Sequence, residues 1–299
     1  MANIIRPTKF DDIIGQQNVL DRLKIMVSGC KSEGAVMPHV LIDGPPGLGK
    51  TTIAGAIAHE MNVNLYIANA ANLRSVKNLM PYLMGISPRS ILFIDEIHRL
   101  PKIVEEFLYP IMEDFQLSMS IENNIETIDI PMFTLVGATT TGGSLSQPFY
   151  DRFTIKEHLS FYSDNDLAKL AKLNTQKLDI NISDDDLLEI AKRSKGTPRI
   201  LNARLQWYKN YKLCNKDDAS INEIFNIQGI DHNGFDVYDK LYIETLTKSK
   251  GTPIGLKTIS SLTGISIETI ENSIEPYMVR KGYVVRSQKG RLLNKYDLL

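Results

Sequence analysis

Apolar residues fall in short unbroken runs in the first half of the chain and at spacings of three and four in the second. Val40 to Ile42, Leu65 to Ile67, Ile91 to Ile94 and the stretch PMFTLVGATT each read as a strand with no polar face. Such strands suit a sheet covered on both sides. After the first strand, Ile53, Ala54, Ile57, Ala58 and Met61 recur at helical intervals. The order strand, helix, strand predicts an α/β unit over residues 1–155, with a mainly parallel sheet and its chemistry at the strand ends.

Residues 115–130 follow a different period. FQLSMSIENNIETIDI alternates apolar and polar positions about Asn123-Asn124, which predicts a β-hairpin. Two readings are open: strands joined to the main sheet, or a projecting apolar prong that docks on a partner.

From about residue 156 the pattern becomes helical. Ser163 with Asp166, and Ser183 with Asp186, mark two helix starts, and Pro198 a third. Residues 156–228 are therefore expected to form a small helical domain, with Gly196 closing the second helix and NKDDAS and Gly229 near its boundary. In residues 229–299, TPIGLKTISSLTG and SIETIENSIEPYMVRKG read as two helices. YVVRSQKGRLLN then reads as two strands about a Gln288-Lys289-Gly290 turn. Helix, turn, helix and basic hairpin is the order of a winged helix.

Composition adds limits. Across 299 residues, 43% hydrophobic and 23% charged content suits a folded chain rather than a disordered one. Two cysteines, Cys30 and Cys214, build neither a disulfide framework nor a cysteine-rich zinc site. No stretch reaches 18 uncharged apolar residues, and the opening MANIIRPTKFDDIIGQ lacks the apolar run of a secretory signal, so a cytoplasmic protein without a membrane span is expected. The net charge of −1 is unevenly spread: −4 over 1–155, +1 over 156–228 and +2 over 229–299. Arg280, Lys281, Arg286, Lys289, Arg291 and Lys295 crowd the tail, with no acid between Glu275 and Asp297. Local charge, not net charge, points to nucleic acid.

The candidate chemistry sits on the strand ends. GPPGLGKT, residues 44–51, fits G-x-x-x-x-G-K-[ST] without mismatch. Gly44, Gly47 and Gly49 free the backbone to surround phosphate oxygens at a helix N-terminus. Lys50 brings a positive charge to the terminal phosphates, and Thr51 a hydroxyl for Mg²⁺. In LFIDE, Asp95 is suited to hold the hydrated metal and Glu96 to orient or deprotonate the attacking water. ATP hydrolysis is the leading chemistry. Thr140 in GATTT is read either as a γ-phosphate contact or as plain turn chemistry. Arg152 and Arg199, each flanked by apolar residues, are expected to be buried against an anion, carboxylate or phosphate. His98 is read as a polar neighbour of the site, and Cys30, Cys214 and Trp207 as packing residues.

Taken together, RPTKFDDIIGQ, HVLIDGPPGLGKTT, ILFIDEIHRL, EDFQ, FTLVGATT, DRF, KRSKGTPRI and EPYMVRKGYVVRSQKGR resemble the bacterial RuvB family, AAA+ motors that drive branch migration of Holliday junctions. The resemblance runs through nearly the whole chain. It implies a large AAA+ domain over 1–155, a small helical lid over 156–228 and a winged helix on DNA over 229–299. It implies ATP and Mg²⁺ as ligands, with Gly44, Pro45, Gly47, Leu48, Gly49, Lys50, Thr51 and Thr52 about the phosphates and Thr51 and Asp95 at the metal. Glu96 would serve the water, Thr140 would be the first sensor, Arg152 the finger given to a neighbouring subunit, and Arg199 the second sensor. Arg6 and Ile14 would border the adenine, with Tyr162 against its ring. A homo-hexamer on duplex and four-way junction DNA is implied, with Arg286, Lys289 and Arg291 as phosphate contacts. A RuvA-like junction protein would bind the hairpin at 116–129, and a RuvC-like resolvase would act downstream.

The chain departs from the family pattern at Thr141 and Tyr150, where arginine is common, and in a shorter hairpin. Two other classes share parts of the pattern. A clamp-loader subunit would end in a helical collar rather than a basic hairpin. A nucleotide-switched DNA-binding regulator would have less need of Glu96.

Overall fold

The structure, a computed structural model, describes residues 6–121, 124–140, 142–214 and 219–294, without the side chains of 118–121, 124, 125 and 142. Asn123, Thr141, the NKDD stretch and Lys295 therefore lie outside the described residues. Two compact units emerge. One holds the chain up to Gly44 together with Leu48–Ser160; the other holds Pro45–Gly47 and the chain from Phe161 onward.

In the first unit, β1 (Val40–Asp43), β2 (Leu65–Asn69), β3 (Ile91–Asp95), β6 (Thr134–Thr139) and β7 (Ile155–His158) form one five-stranded sheet in the order β2-β3-β6-β1-β7. Every pairing in it is parallel. The helices α1 (Gln17–Glu33), α2 (Lys50–Met61), α3 (Val76–Met84), α4 (Lys102–Asp114) and α5 (Gln147–Asp151) belong to the same unit. All six residues of β6 are buried, as an interior strand between two layers requires. Phe93, Phe133, Phe149 and Phe153 are fully enclosed; each contributes roughly 1.5–3 kcal/mol of burial.

β7 overturns the expectation that the chain turns helical at 156. It is an edge strand, with Lys156 and His158 exposed and Glu157 turned inward. The inward residue is a carboxylate, 3% exposed, neutralised by Arg22 (Nε to Oε1 2.9 Å). An alternation whose buried member is charged carries no hydrophobic signal. The hairpin β4 (Gln116–Ile121) and β5 (Asn124–Asp129) pairs within itself as a separate two-stranded sheet, which removes the reading in which it joins the main sheet. Leu117 anchors its base, 1% exposed.

The second unit carries α6 (Asp164–Leu178), α7 (Asp184–Lys192), α8 (Pro198–Cys214), α9 (Ile221–Ile227), α10 (Val237–Lys248) and α11 (Leu256–Thr263). Ser163 and Ser183 cap α6 and α7 by accepting the amides of Asp166 and Asp186 at 3.0 and 3.1 Å. α7 stops at Lys192, four residues before Gly196. Ile267–Thr269, a π turn at Ile270–Ile274 and Glu275–Arg280 follow one another as a single helix, α12. β8 (Val284–Ser287) and β9 (Gly290–Leu293) form the terminal hairpin. Gly290 must be glycine: its φ is +136° and a Cβ would stand 2.4 Å from the Ile254 carbonyl. The helical and terminal segments share buried polar ties. Arg193 Nε donates to the Asp231 carbonyl (3.2 Å), Arg204 Nη2 to that of Gly234 (3.1 Å), and Lys195 pairs with Asp239.

Candidate functional site

β1 ends at Asp43, and the chain enters the glycine loop. Gly44, Gly47 and Gly49 all have φ in the left-handed region, at +140°, +82° and +104°. A Cβ on Gly44 would lie 2.6 Å from the Leu159 carbonyl oxygen. Positive φ at alternate positions turns successive N–H groups into one concavity, and the N-terminus of α2 adds its own free amides. Lys50 opens that helix. Its side chain is 7% exposed and Nζ donates to the Gly44 carbonyl at 2.6 Å, so the charge is folded back over the loop. Thr51 and Thr52 sit half-buried on the first turn. Leu48 is fully buried, so it meets a ligand through its backbone alone.

The next two groups come from neighbouring strands. Asp95 ends β3 and accepts the Glu96 amide through Oδ1 at 3.1 Å. Glu96 has φ +50°, which turns its side chain out of the strand direction. β6 lies beside β3 and ends at Thr139. Thr140, the following residue, donates its hydroxyl to Glu96 Oε2 at 3.2 Å. His98 completes the group: Nδ1 lies 2.9 Å from Thr139 Oγ1 and 3.4 Å from Glu96 Oε2. Burial pushes the His98 imidazole below its ordinary value; the Glu96 charge opposes this, while Arg99 and Lys50 add to it. Sequence reasoning left His98 as a bystander, because one histidine forms no motif; its contact with Thr139 crosses from one strand end to another.

A phosphate-bound Mg²⁺ fits these donors. Among the described residues no cluster of three or more His, Cys, Asp or Glu stands ready for a metal. Thr51 and Asp95 offer the one or two oxygens that Mg²⁺ takes from protein when phosphates and water supply the rest.

Arg152 follows α5 and is 20% exposed. Its guanidinium lies over the Tyr109 ring (4.1 Å), reaches Glu113 Oε1 (3.0 Å) and donates to the Pro148 carbonyl (2.7 Å). Its Nε is buried without a partner among the described residues. Arg6 is exposed and Ile14 half-buried. Gln16 fixes this N-terminal segment by donating to the Ser160 carbonyl (2.5 Å) and accepting its amide (3.2 Å).

In the second unit, Pro45–Gly47 lie with the turn before α8. The Arg199 amide donates to the Gly47 carbonyl at 3.4 Å, and a Cβ on Gly47 would meet Thr197 and Arg199 within 3 Å. The Arg199 side chain is exposed, contrary to the expectation of a buried arginine, because only its backbone is enclosed at the start of α8. Tyr162 is 8% exposed, and its amide donates to the Gly196 carbonyl at 2.9 Å. A cavity of about 160 Å³ is bounded by Pro45, Pro46, Phe161, Lys195, Arg199 and Tyr277.

The terminal hairpin divides its basic residues. Lys289 is exposed at the turn. Arg286 and Arg291 converge on one carboxylate, Glu275, which is 0% exposed: Arg286 Nε lies 2.6 Å from Oε2 and Arg291 Nε 2.9 Å from Oε1. Tyr242 donates to the same Oε1 at 2.8 Å. Burial, with the Glu275 charge beside it, pushes the Tyr242 phenol far up. The hydrogen bond to Glu275 raises Arg291 as well. Arg291 is 17% exposed and Arg286 45%, so the two are not equivalent, as a row of free cations on the hairpin would have made them. Arg280 stacks on Phe161 (4.9 Å).

Comparison with known proteins accounts for the whole chain. The family model described as the Holliday junction DNA helicase RuvB P-loop domain matches residues 5–159. The RuvB AAA lid domain matches 162–232, and the RuvB C-terminal winged helix domain 232–296. The Holliday junction branch migration complex subunit RuvB of Rhodopirellula baltica is 41% identical over 297 residues, spanning 96% of this chain and 81% of that protein. The solved structure of the Thermotoga maritima RuvB Holliday junction branch migration motor superposes with a TM-score of 0.90 at 36% identity, covering 98% of this chain and 96% of the other. A point mutant of that protein gives 0.90 and 36%, over 97% and 96%. With an AAA+ P-loop unit, a lid and a winged helix in this order, the chain belongs to the RuvB family of Holliday junction DNA helicases.

Proposed function

We propose that the chain turns ATP hydrolysis into movement of duplex DNA at four-way junctions through the residues described above. As a RuvB-family chain it is an ATP-driven branch-migration motor in recombination and repair. The observation that carries the residue assignment is the contact between Thr140 and Glu96 at the ends of adjacent strands, beside a lysine-bearing glycine loop.

ATP sits with its phosphates in the Gly44–Thr52 loop, held by backbone amides and by Lys50. Mg²⁺, held by Thr51 and Asp95, neutralises phosphate charge. Glu96 orients the attacking water and accepts its proton; Thr140 meets the γ-phosphate and reports its loss. Arg6, Ile14 and Tyr162 border the base, and Arg199 answers the nucleotide from the lid. Arg152 serves the nucleotide of the next subunit in a homo-hexameric ring. The hairpin at 116–129 receives a RuvA-like partner, a RuvC-like resolvase acts on the product, and the work is done in the cytoplasm. Among the described residues no helix is long and apolar enough to cross a membrane.

DNA is met at its phosphates. A motor that passes arbitrary sequence cannot depend on base edges, whereas phosphates recur at every step. The terminal hairpin, with Arg286 and Lys289 outermost, is suited to this. The decisive experiment is ATP turnover with and without four-way junction DNA. Stimulation by the junction, lost in Lys50→Ala, is expected; turnover indifferent to DNA would overturn the proposal.

A further inference from the structure

Glu275 is the sole residue of the winged helix that touches both hairpin arginines, and it is fully enclosed. A buried carboxylate must be compensated. Here Tyr242, Arg291 and Arg286 all approach it, which is more than neutralisation needs. Arg291 supplies the internal counter-charge: it is mostly covered and takes Glu271 as a second partner, 3.5 Å away. Arg286 uses only its Nε on Glu275, and nearly half of its side chain stays in solvent. A guanidinium is a rigid fork of five N–H donors. Binding it at Nε fixes the plane of that fork and sets the direction of its outer edge.

The rest of the winged helix narrows where DNA can lie. Asn272, Ser273, Pro276 and Tyr277 of α12 line the cavity that also takes in Phe161 and Lys195, and Arg280 stacks on Phe161. This face of α12 is engaged with the helical segment of its own unit. The hairpin side, with Val285, Arg286, Ser287, Gln288 and Lys289 exposed, is the open basic surface.

We infer that Glu275 is a positioning residue for DNA, whose buried carboxylate presents the outer edge of the Arg286 guanidinium to a backbone phosphate while Arg291 stays inside as its counter-charge. This rests on the reading that the hairpin meets phosphates. An arginine ordered in advance pays less on binding than a free one, and a fork offers a phosphate two hydrogen bonds where a point charge offers one.

The sign of one charge change tests the inference. Glu275→Gln adds a positive charge to the domain. If the hairpin were a diffuse basic patch, the variant would bind duplex DNA more tightly, as Glu268→Gln on the exposed start of α12 should. Positioning predicts the reverse, a weakening of roughly three- to tenfold. Binding is read by fluorescence anisotropy of the full chain on two unrelated duplexes over a range of salt, with folding checked by thermal unfolding. Should Glu275→Gln fail to fold, Arg286→Lys decides. It keeps the charge and loses the fork, so it should weaken binding nearly as much as Arg286→Ala; wild-type affinity in Arg286→Lys overturns the inference. Tighter or unchanged binding in a folded Glu275→Gln, with Arg286→Ala weakened, overturns positioning and leaves the phosphate reading standing. Unchanged binding and salt slope in Arg286→Ala/Lys289→Ala overturns both.

Discussion

Thr140 gives its hydroxyl hydrogen to Glu96 Oε2 across 3.2 Å, so the residue just beyond β6 holds the carboxylate just beyond β3. The acceptor that a hydrolytic water needs is thus already engaged. Drawing Thr140 toward a γ-phosphate frees Glu96, and loss of that phosphate returns the hydroxyl to it.

Removing either group should therefore affect turnover more than binding. Glu96→Gln is expected to retain ATP and lose on the order of 10²–10⁴-fold in turnover, the usual contribution of a general base. Thr140→Val should also retain ATP and turn over slowly, and the double variant should fall little below Glu96→Gln, because the two act as one unit. Steady-state kinetics with nucleotide-binding titrations provide the check; an additive double variant would show independent roles.

Arg152 is held by Tyr109, Glu113 and Pro148 of its own chain, a cradle that orders the guanidinium before any neighbour arrives. Arg152→Ala should cost on the order of 10³-fold in turnover, as loss of an arginine finger does, with the protein's own ATP binding intact. Mixing it with Glu96→Gln protein should restore part of the hydrolysis at interfaces where both intact groups meet. Mixed rings without any rescue would make Arg152 a packing residue.

His39 sets a pH limit on folding. It is 7% exposed; Nδ1 accepts the Leu135 amide at 2.9 Å and Nε2 donates to the Met112 carbonyl at 3.0 Å, so the ring is neutral as folded. Burial holds it below its ordinary 6.5, the Met112 bond partly opposing. The unfolded chain thus takes up the proton more readily. The contribution is complete above 6.5 and is lost as pH falls from there through the lower folded-state value. Thermal unfolding from pH 8 to 5 should show this decline, and His39→Gln should flatten it; an equal decline in both would assign it elsewhere.

Lys195 and Asp239 form an almost completely enclosed ion pair, with Asp236 3.7 Å from the ammonium. Burial raises the Asp239 carboxyl, and the charge of Lys195 opposes this. Asp239→Ala leaves a buried cation and should destabilise the second unit by about 3–5 kcal/mol in urea unfolding, whereas Lys195→Met/Asp239→Leu should recover most of that. No recovery in the double variant would locate the cost in the α10 cap, where Asp239 also accepts the Asp236 amide.

Much of the molecule was legible before its coordinates. The glycine loop, the apolar strands, the serine caps and the terminal hairpin are local patterns, each set by a few neighbouring residues. β7 was not legible, because Glu157 takes the place of the apolar residue that would announce a buried position. Nor was the π turn in α12, since Ile270 and Ile274 read equally well as α spacing. His98 against Thr139 and Glu275 between two arginines are contacts across long separations in sequence or between elements. Arg199 misled, because apolar flanks describe the neighbours of a residue on a helix and say nothing of where its own side chain points.

The π turn at Ile270–Ile274 also makes this helix more sensitive to lost residues than to changed ones. A π turn is one residue wider than the α turn it replaces. Deleting a single codon there would let the helix close to regular α geometry and swing everything after it by about 100°. Glu275, Tyr277 and Met278 would leave the interior together, each still present and unaltered. Variation in this stretch should therefore be accepted as replacements and refused as gaps, a constraint on inheritance that no single side chain reveals.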